Sequence, residues 1–128
     1  MKKAAMLAAL LCVLLALCAC GRGGAKEWTY ALPNGYAIHS VDGKVRCDEN
    51  GEQALSEGIT AFCIGERYVG IRQSVDDHPE CWFLLDTKNK VFYSAADETE
   101  FNGICESFGC TDLGNWIRTD TMPEGAEG

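Results

Sequence analysis

Hydrophobic and polar positions alternate with two periods along this chain, and the change from one to the other divides it. From Trp28 the pattern is short apolar runs punctuated by turn residues. Trp28 to Leu32 reads as a strand closed by Pro33-Asn34-Gly35. Tyr36 to Val41 and Lys44 to Cys47 flank Asp42-Gly43, a strong hairpin signal, because both residues accept the positive φ of a type I′ turn. Asn50-Gly51 marks another turn, and Ala54 to Gly58 reads as a loop or brief helical turn. Ile59 to Ile64 and Tyr68 to Gln73 pair around Gly65-Glu66-Arg67. Cys81 to Asp86 and Val91 to Tyr93 pair around Thr87-Lys88-Asn89-Lys90, after a polar loop from Ser74 to Glu80.

After Tyr93 the spacing becomes helical. Phe101, Ile104, Cys105 and Phe108 fall at i, i+3, i+4 and i+7, one apolar stripe, and Gly109 supplies a C-terminal stop. Ser94-Ala95-Ala96-Asp97 resembles a capping box, which starts the helix near 95. Trp116 to Thr119 reads as a last edge strand, and 121–128 is polar and glycine-rich enough to predict a disordered tail. The fold class expected is α+β: an antiparallel β-meander of about five to seven short strands, with one C-terminal helix (about 95–108) packed on the sheet. It forms one domain over 27–120.

The strand Cys81 to Asp86 breaks the simple alternation. Trp82 and Leu84 point to one face, Phe83 and Leu85 to the other, and both faces are apolar. Either the sheet is covered on both sides, or Trp82 and Leu84, with Trp28 or Trp116 nearby, form an exposed binding surface.

The first residues follow another rule. Lys2 and Lys3 precede an uncharged run from Ala4 to Leu17, about 15 residues against the roughly 20 needed to span a bilayer. That is the layout of an export leader. It ends in Leu17-Cys18-Ala19-Cys20, which resembles the bacterial lipobox: aliphatic, tolerant, small, then the modified cysteine. The resemblance to bacterial lipoproteins implies a diacylglycerol on the Cys20 sulfur and cleavage after Ala19, so that 1–19 is a leader. The expected location is the extracytoplasmic face of a cell membrane. Two acyl chains hold stably, since each buried methylene contributes about 0.8 kcal/mol. Gly21 to Lys26 completes a 20–26 tether reaching only about 13 Å. The wider pattern, including Leu85-Asp86-Thr87-Lys88-Asn89-Lys90-Val91 and the acidic helix, resembles small Gram-positive lipoproteins of unknown function. That resemblance implies a location and no activity.

Charge narrows the partners. Losing Lys2 and Lys3 with the leader takes the formal charge from -8 to -10. Lysines and arginines are scattered, so no nucleic-acid footprint is present. The expected partners are the membrane, through the lipid, and a protein of the cell envelope.

Five cysteines follow the anchor: Cys47, Cys63, Cys81, Cys105 and Cys110. Export would let disulfides persist, and an odd count leaves one thiol over. Cys105 and Cys110 can approach if the chain turns back at Gly109, and Cys63 and Cys81 if their strands are neighbours; otherwise Cys63, Cys81 and Cys105 are small buried apolar residues. His78 and Cys81 have an H-x-x-C spacing, but no C-x-x-C pair follows the anchor, so no metal is assigned. Asp48, Asn50 and Glu52 suggest a calcium loop, yet the glycine is fourth and position twelve is Ile59. His39 shares strand parity with Ala37 and Val41, as a half-buried sheet histidine does. No catalytic set and no cofactor are expected. The leading expectation is a non-catalytic, membrane-tethered interaction or accessory module, and the alternative is a thiol or metal protein built on the five cysteines and His78.

Overall fold

The computed structural model describes residues 27–76 and 78–128; the leader, Cys20 and the tether lie outside them. Among the described residues there are two antiparallel sheets, one α-helix and a short 3-10 turn at Pro33–Gly35. The first sheet has the order β1-β2-β3-β4, with β1 Trp28–Ala31, β2 Tyr36–Val41, β3 Lys44–Glu49 and β4 Glu52–Leu55. The second has the order β8-β7-β6-β5-β9, with β5 Ile59–Ile64, β6 Tyr68–Gln73, β7 Cys81–Asp86, β8 Val91–Ala95 and β9 Ile117–Arg118. The helix α1 spans Glu98–Ser107.

The α+β class holds, but the described residues form nine strands in two sheets rather than five to seven in one. Glu52–Leu55, half of which reads as loop in sequence, extends the meander because Asn50 and Gly51 both take positive φ (50° and 85°) and fold it back onto β3. Asp42 and Gly43 do the same between β2 and β3 (52° and 78°), the signature of a type I′ hairpin turn.

A two-sided second sheet explains the apolar character of β7. Leu85 and Phe83 face the first sheet, in a core with Ile38, Cys47, Phe62, Val69 and Ile71. Trp82 and Leu84 face α1, in a second core with Phe101, Cys105 and Cys110. Leu84 and Leu85 are both 0% exposed. Each such side chain contributes about 1.5–3 kcal/mol on leaving water. The first sheet has the ordinary alternation instead: Tyr36, Ile38 and Ser40 point inward, Ala37, His39 and Val41 outward. On that outer face Arg46 Nε lies 2.9 Å from Asp48 Oδ1, off the line of the N–H, so the pair is a charge contact rather than a hydrogen bond.

The helix begins later than its capping pattern suggests. Ser94 and Ala95 remain in β8, paired with Phe83 and Trp82. The cap is Asp97, whose Oδ1 accepts from Glu100 N at 2.8 Å, while Glu100 Oε2 accepts from Ala96 N at 3.3 Å. The cap therefore lies three residues downstream, where the chain leaves the sheet, with Glu100 reaching back past the capping residue to the Ala96 amide.

The C-terminal residues depart from the disordered tail that their composition predicts. Glu127 pairs with Thr29, with reciprocal backbone hydrogen bonds of 2.8 Å, and so closes the outer edge of β1. The register of a backbone ladder depends on N–H and C=O groups, which every residue but proline has, so polarity of the side chains does not forbid it.

Candidate functional site

The expected binding surface is not a surface. Trp82 is 9% exposed and Leu84 is fully covered by α1. Trp28 belongs to the core between the sheets, on the far side of the second sheet. Trp116 does meet Trp82, edge to face with centroids 5.4 Å apart, but as part of a packed cluster with Phe101. The Arg72 guanidinium lies 4.6 Å from the Trp82 ring and 5.5 Å from that of Trp116, held by Glu80 at 2.6 Å. These contacts close the face that sequence left open.

The cysteines divide among several places. Cys47 is buried between the sheets, and burial with the nearby Asp48 and Glu49 charges pushes its thiol up to about 12. Cys63 cannot bridge to Cys81 as expected from adjacent strands, because β6 runs between β5 and β7: Cys63 pairs with Gly70 and Cys81 with Gln73. Cys81 is exposed at the strand start. Cys105 and Cys110 are brought together at the end of α1, and Cys63 faces the same core. All five are thiols. Among the described residues no group of three His, Cys, Asp or Glu side chains is arranged to hold a metal ion, and His78 is exposed in its loop.

His39 is half-buried on the outer face of the first sheet. It shares a hydrogen bond of 2.8 Å between Nδ1 and Thr29 Oγ1, and its Nε2 lies 3.6 Å from Glu27 Oε1. A hydroxyl, an imidazole and a carboxylate thus stand in line, which the sequence did not disclose because β1–β2 register creates it. The Thr29 amide donates to Glu127 O, and the three side chains form a polar network across the outer face of β1 and β2.

Loops converge at one end of the second sheet, and there a cleft of about 570 Å³ opens. Asn34, from the turn before β2, Glu66 and Arg67, from the β5–β6 turn, and Tyr68, the first residue of β6, form one side. Lys88, from the β7–β8 hairpin, and Gly109 to Asp112, after α1, form the other. The walls are tied down individually. Asp86 fixes Arg67, Asn34 Nδ2 donates to Thr87 Oγ1 at 2.9 Å, Thr87 Oγ1 donates to Arg67 O, and Asp112 Oδ2 accepts from Glu66 N at 2.8 Å. A Cβ on Gly65 would lie 2.6 Å from Asp112 Oδ1, so a larger residue there would have to displace the carboxylate that holds Glu66 N.

Beside the cleft lies an aromatic margin. Phe108 is 40% exposed, with its ring 4.6 Å from that of Tyr93 and 6.0 Å from that of Tyr68. The Arg67 guanidinium sits 5.1 Å from the Tyr68 ring. An exposed ring resting on two others is rigid and apolar, and a cationic side chain beside it gives direction to whatever approaches. Phe108 ends the helical stripe in sequence, but its exposure depends on where α1 ends over the sheet. Compared with models of protein families, with curated proteins and with solved structures, the chain matches none.

Proposed function

We propose that this chain is a lipid-anchored protein of the extracytoplasmic membrane face, tethered through Cys20, whose domain is a non-catalytic interaction module for an envelope protein. The anchor reading rests on Lys2-Lys3, the uncharged Ala4 to Leu17 run and Leu17-Cys18-Ala19-Cys20. The observation that supports the interaction reading is the cleft bounded by Arg67, Tyr68 and Lys88 with the exposed Phe108 on its margin. Aromatic and arginine side chains at a rigid site are the usual anchors of protein contacts. Lys88 offers a cation on a chain that is otherwise strongly acidic, and so favours a partner segment that places an apolar side chain next to a carboxylate.

Placing a photo-crosslinking residue at Phe108 in living cells tests this directly. The expected result is a discrete adduct absent when the probe replaces Val75, which is exposed in the β6–β7 loop at the far end of the sheet. Lys88→Glu is expected to reduce it. Equal labelling from both positions, or none from Phe108, contradicts the proposal.

A further inference from the structure

The helix end that borders the cleft holds two thiols at positions the backbone pairs. The helix finishes at Ser107 with Phe108 as its C-cap, and Gly109 follows at φ 63°. Cys110 N donates to Cys105 O at 2.9 Å, and Gly109 N donates to Glu106 O at 3.1 Å. Those two bonds define a Schellman motif, in which the third residue from the helix end contacts the second residue past the cap. That contact is ordinarily apolar. Here its two members are Cys105 and Cys110, both buried in the α1 core and with their thiols in mutual contact.

We infer that Cys105 and Cys110 are an oxidisable dithiol that closes into an intramolecular disulfide, pinning the end of α1 and the adjoining wall of the cleft. A disulfide needs Cα atoms roughly 4.4–6.8 Å apart, and the backbone bond between these residues already returns the chain to that neighbourhood. Cys110 is the one that lines the cleft, although both residues are buried, Cys105 at 8% exposure and Cys110 at 9%.

The oxidant is a small or protein disulfide, R–S–S–R, as found in oxidising compartments. The Cys110 thiolate attacks one sulfur, which forms a mixed disulfide and releases RS⁻. The Cys105 thiolate then attacks Cys110 Sγ, forming the internal bond and releasing the second RS⁻. Two electrons pass from the cysteines to the oxidant, and the two cysteine protons end on the released thiols. Burial pushes Cys110 up to about 11 and Cys105 in the same direction. Thiolate is therefore scarce near neutrality, and closure accelerates about tenfold per pH unit while pH remains well below the Cys110 value.

Cys63 is the competing thiol, since it faces the same core. Its place is set by the sheet, opposite Gly70, whereas the other two are joined by a local turn. The inference depends on the export reading only for where the oxidant is met.

The test is oxidation of the full chain, extracted from membranes in detergent, with oxidised glutathione at mildly alkaline pH. Acid quenching, alkylation under denaturing conditions and peptide mapping follow. Expected is the loss of the thiols of Cys105 and Cys110, one cross-linked Cys105–Cys110 peptide, recovery of both thiols with dithiothreitol, and any glutathione adduct confined to the exposed Cys81. Cys63→Ser is expected to retain the link. Five intact thiols after oxidation, or Cys63 joined to either residue, overturns the inference. The N-terminal peptide from the same digest reports the lipid separately, so failure of the anchor and failure of the disulfide are distinguishable.

Discussion

Arg67 grips Asp86 at two points: Nε donates to Oδ1 at 2.9 Å and Nη2 to Oδ2 at 2.8 Å. Asp86 Oδ1 also accepts from Lys88 N and Asn89 N at 3.1 and 3.2 Å, so one carboxylate organises both the β7–β8 turn and the arginine beside the cleft. The Arg67 hydrogen bonds lower its pKa from 3.8 to about 2, against the opposing effect of burial. A depressed pKa adds stability above the unfolded value and loses it as pH falls through the folded one. Asp86→Asn is therefore expected to cost about 2 kcal/mol near neutral pH, at about 1.4 kcal/mol per pKa unit. In urea melts the gap from the parent protein is expected to be flat above about pH 5 and to shrink toward pH 2.

The two-sided burial of β7 sets a matched pair. Leu84→Ala and Leu85→Ala empty different cores. Each is expected to lower unfolding free energy by about 2–5 kcal/mol in denaturant titration. A sheet with one wet face would leave one of the two within about 0.5 kcal/mol of the parent.

Helix capping separates two nearby residues. Asp97→Ala is expected to cost about 1 kcal/mol, since it removes the acceptor of Glu100 N. Ser94→Ala, on an exposed position of β8, is expected to stay within about 0.5 kcal/mol. Thermal melts of the two variants decide where the helix starts.

Gly70 lets β6 pass under α1. A Cβ there would stand 2.5 Å from Cys63 Sγ, 3.0 Å from Phe101 Cζ and 3.1 Å from the Trp116 ring. Gly70→Ala is expected to destabilise by about 1–3 kcal/mol through overpacking. Adding Cys63→Ala removes the nearest of the three atoms, so the pair is expected to be less damaging than the sum of its parts.

These elements show what the order of residues disclosed. Asp42-Gly43, Asn50-Gly51 and the Phe101–Cys105 stripe carry local signals, and the hairpins and helix lie where those signals point. The division into two sheets does not follow from them, because it depends on long-range pairing: β9 joins β5, and Glu127 joins Thr29, across distant sequence. Cys105 and Cys110 were legible as neighbours because Gly109 sets a local turn. Whether Cys63 and Cys81 are neighbours is not legible in sequence, because strand order is not local, and β6 intervenes. The cleft was illegible for the same reason, being assembled from four separated loops.

The account stands on a lipid in place of a spanning helix, and the intact mass of the chain purified from membranes tests that most directly. Expected is a protein that begins at Cys20, with the nineteen preceding residues gone and the added mass of a diacylglycerol on that cysteine. A chain retaining Met1 to Ala19, or one beginning at Cys20 with an unmodified thiol, contradicts it.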